Sequence, residues 1–598
     1  MAASLLGAAI SATPGAPVSG QTPGSGSDPL SILRERARFV SGYQTLIDVG
    51  MAPPALTTRS AARTGLLAML DLKESSSRFA AAGSGRATSG LATNVGVIAN
   101  AQSDENEPTV ASNPTRPRSL VAGSHSFNPD TGMLHCVASS SSDAGRTWSA
   151  PVELPQLGAD SFCSDPVLAW APDGRRVYYA YMDIKSFQSE ALPLVTFGDD
   201  LDVLVSSSTD GGHTWSAPTI ALDGDPFSVT FNVDTGELVS FEPGSDYDKP
   251  WIATHPGGHD NRDRVYVSAT RFDNLNPAFD CAIVVTTSAN AADRWSDPTE
   301  LDSSGNGFCG GPMVVQGSRP SAGAGSDVVV AWYNSGVDGP GIGSFEIRTA
   351  TSADRGNHWR KSVTAVTDSF ETPSFLGPFA FYHRWNGTMF PDIEIAADGV
   401  AHIAYTHDPV ENGFTIIDPV FGEIFLPDVS TTAEDGDIRY IHSGRGRYGT
   451  GAWTAPVTLN DDGLVRAQGY AALTTAPGPR GGATRVTVIW EDHRLSPEGP
   501  TDPAQFEQSS NLYYDIFTTT FDGKHWSPNR RVTDRSSISD FFFVGDYVDI
   551  TASGESSFSI WTDRRHQTST GATLNEAGEI VIDASALEDN VFGAANRK

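Results

Sequence analysis

The chain is poor in the residues that nucleic-acid binders, membrane proteins and cysteine-built scaffolds depend on. Lysine and arginine number 40 against 72 aspartates and glutamates in 598 residues, a net charge of −32. So large an acidic excess repels phosphate backbones and anionic lipid surfaces, which excludes nucleic acid as a partner and leaves solubility, or a saline habitat, as the plain reading. No run approaches the roughly 18 apolar residues of a membrane span. Only 4 cysteines are present, and with no Cys-x-x-Cys or paired His spacing beside them, thiolate metal binding is excluded as well.

What the chain has in quantity is repetition. The octapeptide Ser141 to Trp148 (SSDAGRTW) returns as STDGGHTW at Ser208 to Trp215 and as SADRGNHW at Ser352 to Trp359. Each copy ends a β-rich run and precedes a short apolar one, so it is a turn joining two strands. Asp143, Asp210 and Asp354 can accept bonds from the turn's own N–H groups, Gly145, Gly212 and Gly356 allow positive φ, and each Trp can bury an aromatic face. Decayed copies end at Trp295, Trp453 and Trp526. A second repeat lies upstream of each turn: an acidic or small residue, often followed by Pro, then an apolar strand, as in EPTVASNPT from Glu107, DPVLAWAPDG from Asp165 and KPWIATHPGG from Lys249. Further copies start near Gly311, Pro391, Gly469 and Asp546, and another apolar strand follows every one. Near-continuous apolar strands are what sheets covered on both faces require.

The turn motif resembles the Asp-box, or bacterial neuraminidase repeat, of the sialidase-type β-propellers, over about residues 95–598. The resemblance implies an all-β fold, a β-propeller of four-stranded blades. Six units are complete in sequence, and the seventh lacks its fourth strand. Asn94 to Ala101 (NVGVIANA) can fill that place, so seven blades closed by an N-terminal strand are favoured over six. The expected organisation is a signal-like and linker segment at 1–28, a short helical N-terminal arm at 29–92 and the propeller at 93–598. A closed ring leaves no edge strand to pair, so a monomer is expected.

Cys136 and Cys281 both fall in the third strand of a unit, while Cys163 and Cys309 both sit at the start of the next, in the similar contexts FCSDP and FCGGP. The two spacings are nearly equal, which predicts disulfides Cys136–Cys163 and Cys281–Cys309, an oxidising compartment and a secreted protein.

In a propeller the turns of this motif lie on one side of the ring, and the ligand funnel opens on the other. The funnel rim is built by residues before each inner strand and after each second strand. These positions bring together Glu107, Asp165, Lys249, Asp392, Tyr470 and Asp546 with Arg271, His407, Glu491, Asp492, Arg494, Asp563 and Arg564, a set that suits carbohydrate. Glycoside hydrolysis needs a proton donor and a nucleophile or base. By the sialidase resemblance, Tyr470 with Glu491 is the nucleophile pair, Asp392 or Asp165 the acid, and Arg271, Arg494 and Arg564 the clamp on a substrate carboxylate. Lys249, His407, Glu107 and Asp546 complete the substrate-binding candidates. The repeated Trp-x-Asp-x-Arg at Trp490 to Arg494 and Trp561 to Arg565 also reads as a structural ion pair.

The chain departs from that family where it carries Asn106-Glu107-Pro108 in place of the Arg-Ile-Pro of the first clamp arginine. The expected function is a secreted sialidase-like glycoside hydrolase. The alternatives are a non-catalytic glycan- or protein-binding propeller and a polysaccharide lyase using His407, Tyr470 and Lys249. No cofactor is required by any of these. Calcium is a candidate ligand, at Asp199, Asp200 and Asp202 or at Glu434, Asp435 and Asp437.

Overall fold

The computed structural model describes residues 93–596 except 100–103, 129–132, 159–160, 233–234, 236, 256–262, 275–278, 305–313, 324, 337–341, 372–389, 408–412, 419–421, 428–435, 465, 479–482, 496–512, 539–543, 555, 566–571, 575–579 and 583–588. The segments 1–28 and 29–92 therefore lie outside the described residues, and with them the expected helical arm.

The described chain is an all-β propeller of four-stranded antiparallel sheets. Six are each built from one stretch of the chain, the second carrying two strands more and the sixth one. Their inner strands are Asp104–Asn113, Phe162–Trp170, Gly244–His255, Val315–Ala322, Asp392–Ile395 and Gln468–Ala476. A further four-stranded sheet joins the two ends of the described chain in the order Asp549–Ser553, Ser556–Asp563, Asn590–Asn596, Val95–Ile98. Val95 lies opposite Gly593 and Ile98 opposite Val591. The N-terminal strand thus supplies the outermost strand of this closing sheet.

Each neighbouring pair of sheets shares one apolar layer, because both faces of a sheet are covered. Val121 and Ala138 of the first sheet meet Tyr179 and Leu204 of the second. Tyr178 and Val203 then meet Val265 and Val284 of the third, and Ile283 meets Val330 and Trp332 of the fourth. Ile347 packs on Ile403, Tyr440 on Val488, and Ile489 on Ile550 and Trp561. The last layer brings Ile560 and Val591 of the closing sheet onto Val110 and Leu120 of the first. Six blades, not the seven expected, are thus each built from one stretch of the chain, and the sheet of the two chain ends returns the last of them to the first.

Polar staples join the inner strands along the axis. Thr109 Oγ1 accepts from Leu168 N at 3.1 Å, Asp392 Oδ2 from Leu473 N at 2.6 Å and Asp549 Oδ2 from Val110 N at 2.8 Å. In each case a side chain of one sheet satisfies an N–H of the next.

The repeated turns close as their residues dictate. Asp143 Oδ1 accepts from Ser141 Oγ at 2.9 Å, Arg146 N at 2.9 Å and Thr147 N at 3.0 Å; Asp210 does the same in its turn, and Asp354 Oδ1 accepts from Ser352 Oγ and His358 N. Their glycines do more than permit positive φ. A Cβ on Gly145 would stand 2.1 Å from the Phe558 ring of the closing sheet, and one on Gly356 would stand 2.7 Å from the Tyr266 ring of the third. The turn is thus also where one sheet presses on the sheet before it.

The two faces of the ring differ in the chain they carry. On the turn face the inner and second strands are joined by short connections such as 114–115 and 396–400, whereas on the opposite face the described strands end and resume much farther apart in sequence, as at His407 and Asp437 or at Asp492 and Tyr513. Long connections on a rigid scaffold are where binding and chemistry concentrate.

Gly145→Ala combines that clash with a φ of +79°, so it is expected to lower unfolding stability by about 2 kcal/mol or more. Gly211→Ala shares a φ of +83° but has nothing within 4 Å, so it should cost only about 1 kcal/mol. Thermal unfolding of the two variants side by side separates the contact from the backbone strain.

Candidate active site on the ring axis

Register shifts interrupt the inner strands at one equivalent place. They fall between Asn106 and Thr109, Ser164 and Val167, Asp248 and Trp251, Gln316 and Arg319, and Gly469 and Ala472. These are β-bulges, and each places a residue in the left-handed region: Glu107 at φ 53°, Asp165 at 50°, Lys249 at 53°, Gly317 at 69° and Tyr470 at 55°. Such φ values cost a non-glycine residue about 1–3 kcal/mol and persist only where surroundings enforce them. A bulge re-aims a side chain, and here it turns charged groups inward.

Three carboxylates converge on one ammonium. Lys249 Nζ lies 3.0 Å from Asp165 Oδ1 and 3.5 Å from Glu107 Oε1, and it also bonds Asp546 Oδ2. All four residues are buried. Burial alone would depress the Lys249 ammonium, but Asp165, Asp546, Glu107 and Asp248 outweigh it and hold the group charged. Asp248 is fixed by Gln316 Nε2 at 2.8 Å. Beside this cluster His125 Nδ1 stands 3.5 Å from both Glu107 Oε2 and Ser164 Oγ. Its burial lowers it to about 4, so it is neutral.

A second layer lies one bulge further along the inner strands. The Arg319 guanidinium stacks 3.8 Å over the Trp251 ring and pairs with Asp392 Oδ1 at 2.9 Å. Trp251 in turn meets Tyr547 edge-on at 5.5 Å. Asp248 was among the rim positions read from the sequence, whereas Arg319, Trp251 and Asp549 were not. A position two residues beyond each bulge is the signal that would have found Arg319 and Trp251.

The remaining candidates fall into three groups. Glu491 is buried at 5 % exposure in the second strand of the sixth sheet. Burial raises it to about 8, with Arg564 opposing. It is therefore a carboxylic acid at neutral pH. Tyr470 is buried at its bulge.

The three arginines expected to form a clamp are engaged separately. Arg271 pairs with Asp273 at 2.9 Å and Glu300 at 3.2 Å, Arg494 with Asp492 at 2.8 Å and Asp461 at 2.9 Å, and Arg564 with Asp589 at 2.6 Å. The Trp-x-Asp-x-Arg repeats form matching clasps. Trp490 and Trp561 donate to Asp492 and Asp563, and Arg494 and Arg565 then bond the same carboxylates while stacking on Phe517 and Phe592. His407 is tied to Asp368 at 2.6 Å, which Tyr405 and Arg439 also bond.

Cys136 and Cys163 form a disulfide with Cα atoms 5.4 Å apart, linking the first sheet to the second. Cys281 is also disulfide-bonded. Its expected partner Cys309 lies outside the described residues. Among the described residues no group of three or more His, Cys, Asp or Glu is arranged to hold a metal ion. Asp200 and Asp202 instead face Lys185 Nζ at 3.5 and 3.1 Å. Asp437 Oδ1 accepts from Asn460 Nδ2 at 2.5 Å, while Glu434 and Asp435 lie outside the described residues. No described helix is long and apolar enough to cross a membrane.

No protein-family model matches the chain, and no curated protein matches it. Solved structures similar to it include an α-L-arabinofuranosidase of Fusarium graminearum with arabinobiose, at 11 % identity and TM-score 0.40 over 85 % of this chain and 98 % of that one. The intramolecular trans-sialidase of Ruminococcus gnavus matches at 12 % identity and TM-score 0.34 over 85 % and 97 %. A protein of unknown function from Dyadobacter fermentans matches at 14 % and 0.37 over 67 % and 94 %. At these values the likeness carries no argument about function.

Two outcomes follow from the axis. Lys249→Met leaves three buried carboxylates without their counter-charge and is expected to cost about 3–5 kcal/mol, read as a large drop in unfolding temperature. For Glu491, whose folded value of about 8 lies above the ordinary carboxyl range, the stabilising contribution is complete in acid and is lost as pH rises through 8. The unfolding temperature should fall from pH 7 to pH 9, and by less in Glu491→Gln.

Proposed function

We propose that the chain is a secreted glycoside hydrolase working from the face of the ring opposite the repeated turns, with Glu491 as proton donor and a carboxylate of the Lys249 cluster, Asp165 or Asp546, as base or nucleophile. One observation carries this reading: carboxyl groups in opposed environments, Glu491 raised to about 8 by burial and Asp165 and Asp546 each bonded to an ammonium. Such a split is how two carboxyls take acid and base roles. The disulfide fits an oxidising compartment.

The sialidase-like substrate class would need guanidinium forks free for a sugar carboxylate. Arg271, Arg494 and Arg564 each hold carboxylates of the chain itself, and the acidic axis repels an anionic ring. We therefore favour neutral sugars, with an aryl α-L-arabinofuranoside as a first uncharged probe. A lyase would need Lys249 for a uronate carboxylate, yet Lys249 is already bonded by three acids. Full burial of Glu107 and Asp165 favours one alternative, a non-catalytic glycan binder in which the cluster only ties the sheets.

The test is release of a chromophore from aryl α-L-arabinofuranoside and aryl α-sialoside by the oxidised protein. Arabinoside turnover is expected, with kcat/KM falling above about pH 8 and a loss of about a hundredfold or more in Glu491→Gln at unchanged unfolding temperature. Turnover of the sialoside alone would restore the sialidase reading, and a folded protein that cleaves neither leaves the glycan binder.

A further inference from the structure

The turn face holds a groove of about 500 Å³ between the first and second sheets, a volume in the range of small-molecule sites. Its walls are the start of the Arg116–Asn128 strand, the end of Met133–Ser141, the turn around Trp148, the connection carrying Arg175, and the turn around Asp210. Nothing in the axial site reaches it, since it lies on the opposite side of the ring.

The charge of this groove runs against that of the chain. Arg116 and Arg175 face Asp210 and His213 there. The Asp210 carboxylate is consumed by its own turn, accepting from Ser208 Oγ at 2.7 Å, His213 N at 3.1 Å and Thr214 N at 3.0 Å. The Arg175 side chain is 87 % exposed and, among the described residues, pairs with Asp173 at 3.6 Å. Arg116 is exposed, and among the described residues no ion pair or side-chain hydrogen bond holds its guanidinium. In a protein with 72 acidic residues, the groove is thus lined by two exposed guanidiniums, one of them held only by a long pair with an exposed aspartate.

The other lining groups suit a sugar. Ser119, Ser142 and Thr209 offer hydroxyls that make no hydrogen bond among the described residues. The half-buried Trp148 indole presents a ring held in place by Gly145 O at 3.2 Å and by Phe558 at 5.6 Å between centroids. Gly211, with nothing within 4 Å of a Cβ position, leaves the floor open. Guanidinium forks match carboxylate and sulfate oxygens, hydroxyls match ring hydroxyls, and an indole face matches the apolar face of a pyranose.

We infer that this groove binds a sugar bearing a carboxylate or sulfate, as a second carbohydrate site on the face away from the axis. It would hold a charged glycan against the ring whether or not the axis is catalytic.

The experiment is titration calorimetry of the full oxidised protein with a galacturonate oligomer, a sulfated oligosaccharide and a neutral galactose oligomer of equal length. One or both charged probes should bind, the neutral one at least tenfold more weakly, and the affinity should fall with added salt. Which charged probe wins assigns the group recognised. Arg116→Ala and Arg175→Ala should each weaken binding about tenfold or more, while Arg360→Ala, an exposed arginine elsewhere on the ring, should not. Both groove variants should keep the unfolding temperature and any aryl-glycoside turnover of the parent. Absence of binding up to about 10 mM, equal binding of the neutral oligomer, or unchanged binding in both groove variants overturns the inference.

Discussion

A single ammonium stands where the strain and the charge of this ring are resolved. Lys249 bonds acids from the first, second and closing sheets while itself belonging to the third. Glu107, Asp165 and Lys249 reach the axis at bulges of their inner strands, each at positive φ, while Asp546 lies just before the inner strand of the closing sheet. An uncompensated carboxylate in that position would cost several kcal/mol, so the acids and the lysine require one another. The apolar layers between sheets supply the bulk of the burial, but this cluster fixes which polar groups sit at the centre.

The architecture was legible in the sequence because it is periodic. Ser141, Asp143 and Trp148 recur with fixed spacing, and the structure shows the same carboxylate-to-backbone bonds in each turn. The closing strand was legible for a simpler reason: the last unit ended one strand short and Asn94 to Ala101 was the apolar piece left over. The Cys136–Cys163 link followed from two cysteines occupying neighbouring sheets.

The site was legible only in part. Glu107, Asp165 and Lys249 stood out as residues preceding Pro at the head of an apolar strand, and Asp546 as the head of the last such strand, and the structure brings these four together. The arginines were chosen by residue type at strand ends, and sequence carries no sign of what a guanidinium will bond. Asp273, Asp461, Asp462 and Asp589 lie at varied distances along the chain from their arginines. Asp392 shows the same difficulty, since its carboxyl joins Arg319 and Leu473 N across two sheet boundaries that no local pattern announces. Tertiary pairing, rather than propensity, decided these positions.

The closing sheet has a consequence for synthesis. Val95–Ile98 emerges early from the ribosome, while its partner Asn590–Asn596 follows about 500 residues later, or about 25–100 s at ordinary elongation rates. For that interval the first sheet exposes the apolar face that Ile560 and Val591 later cover. The ring therefore grows as an open arc with one sticky end, and its solubility during translation depends on what shields Val110 and Leu120 until the last strand arrives.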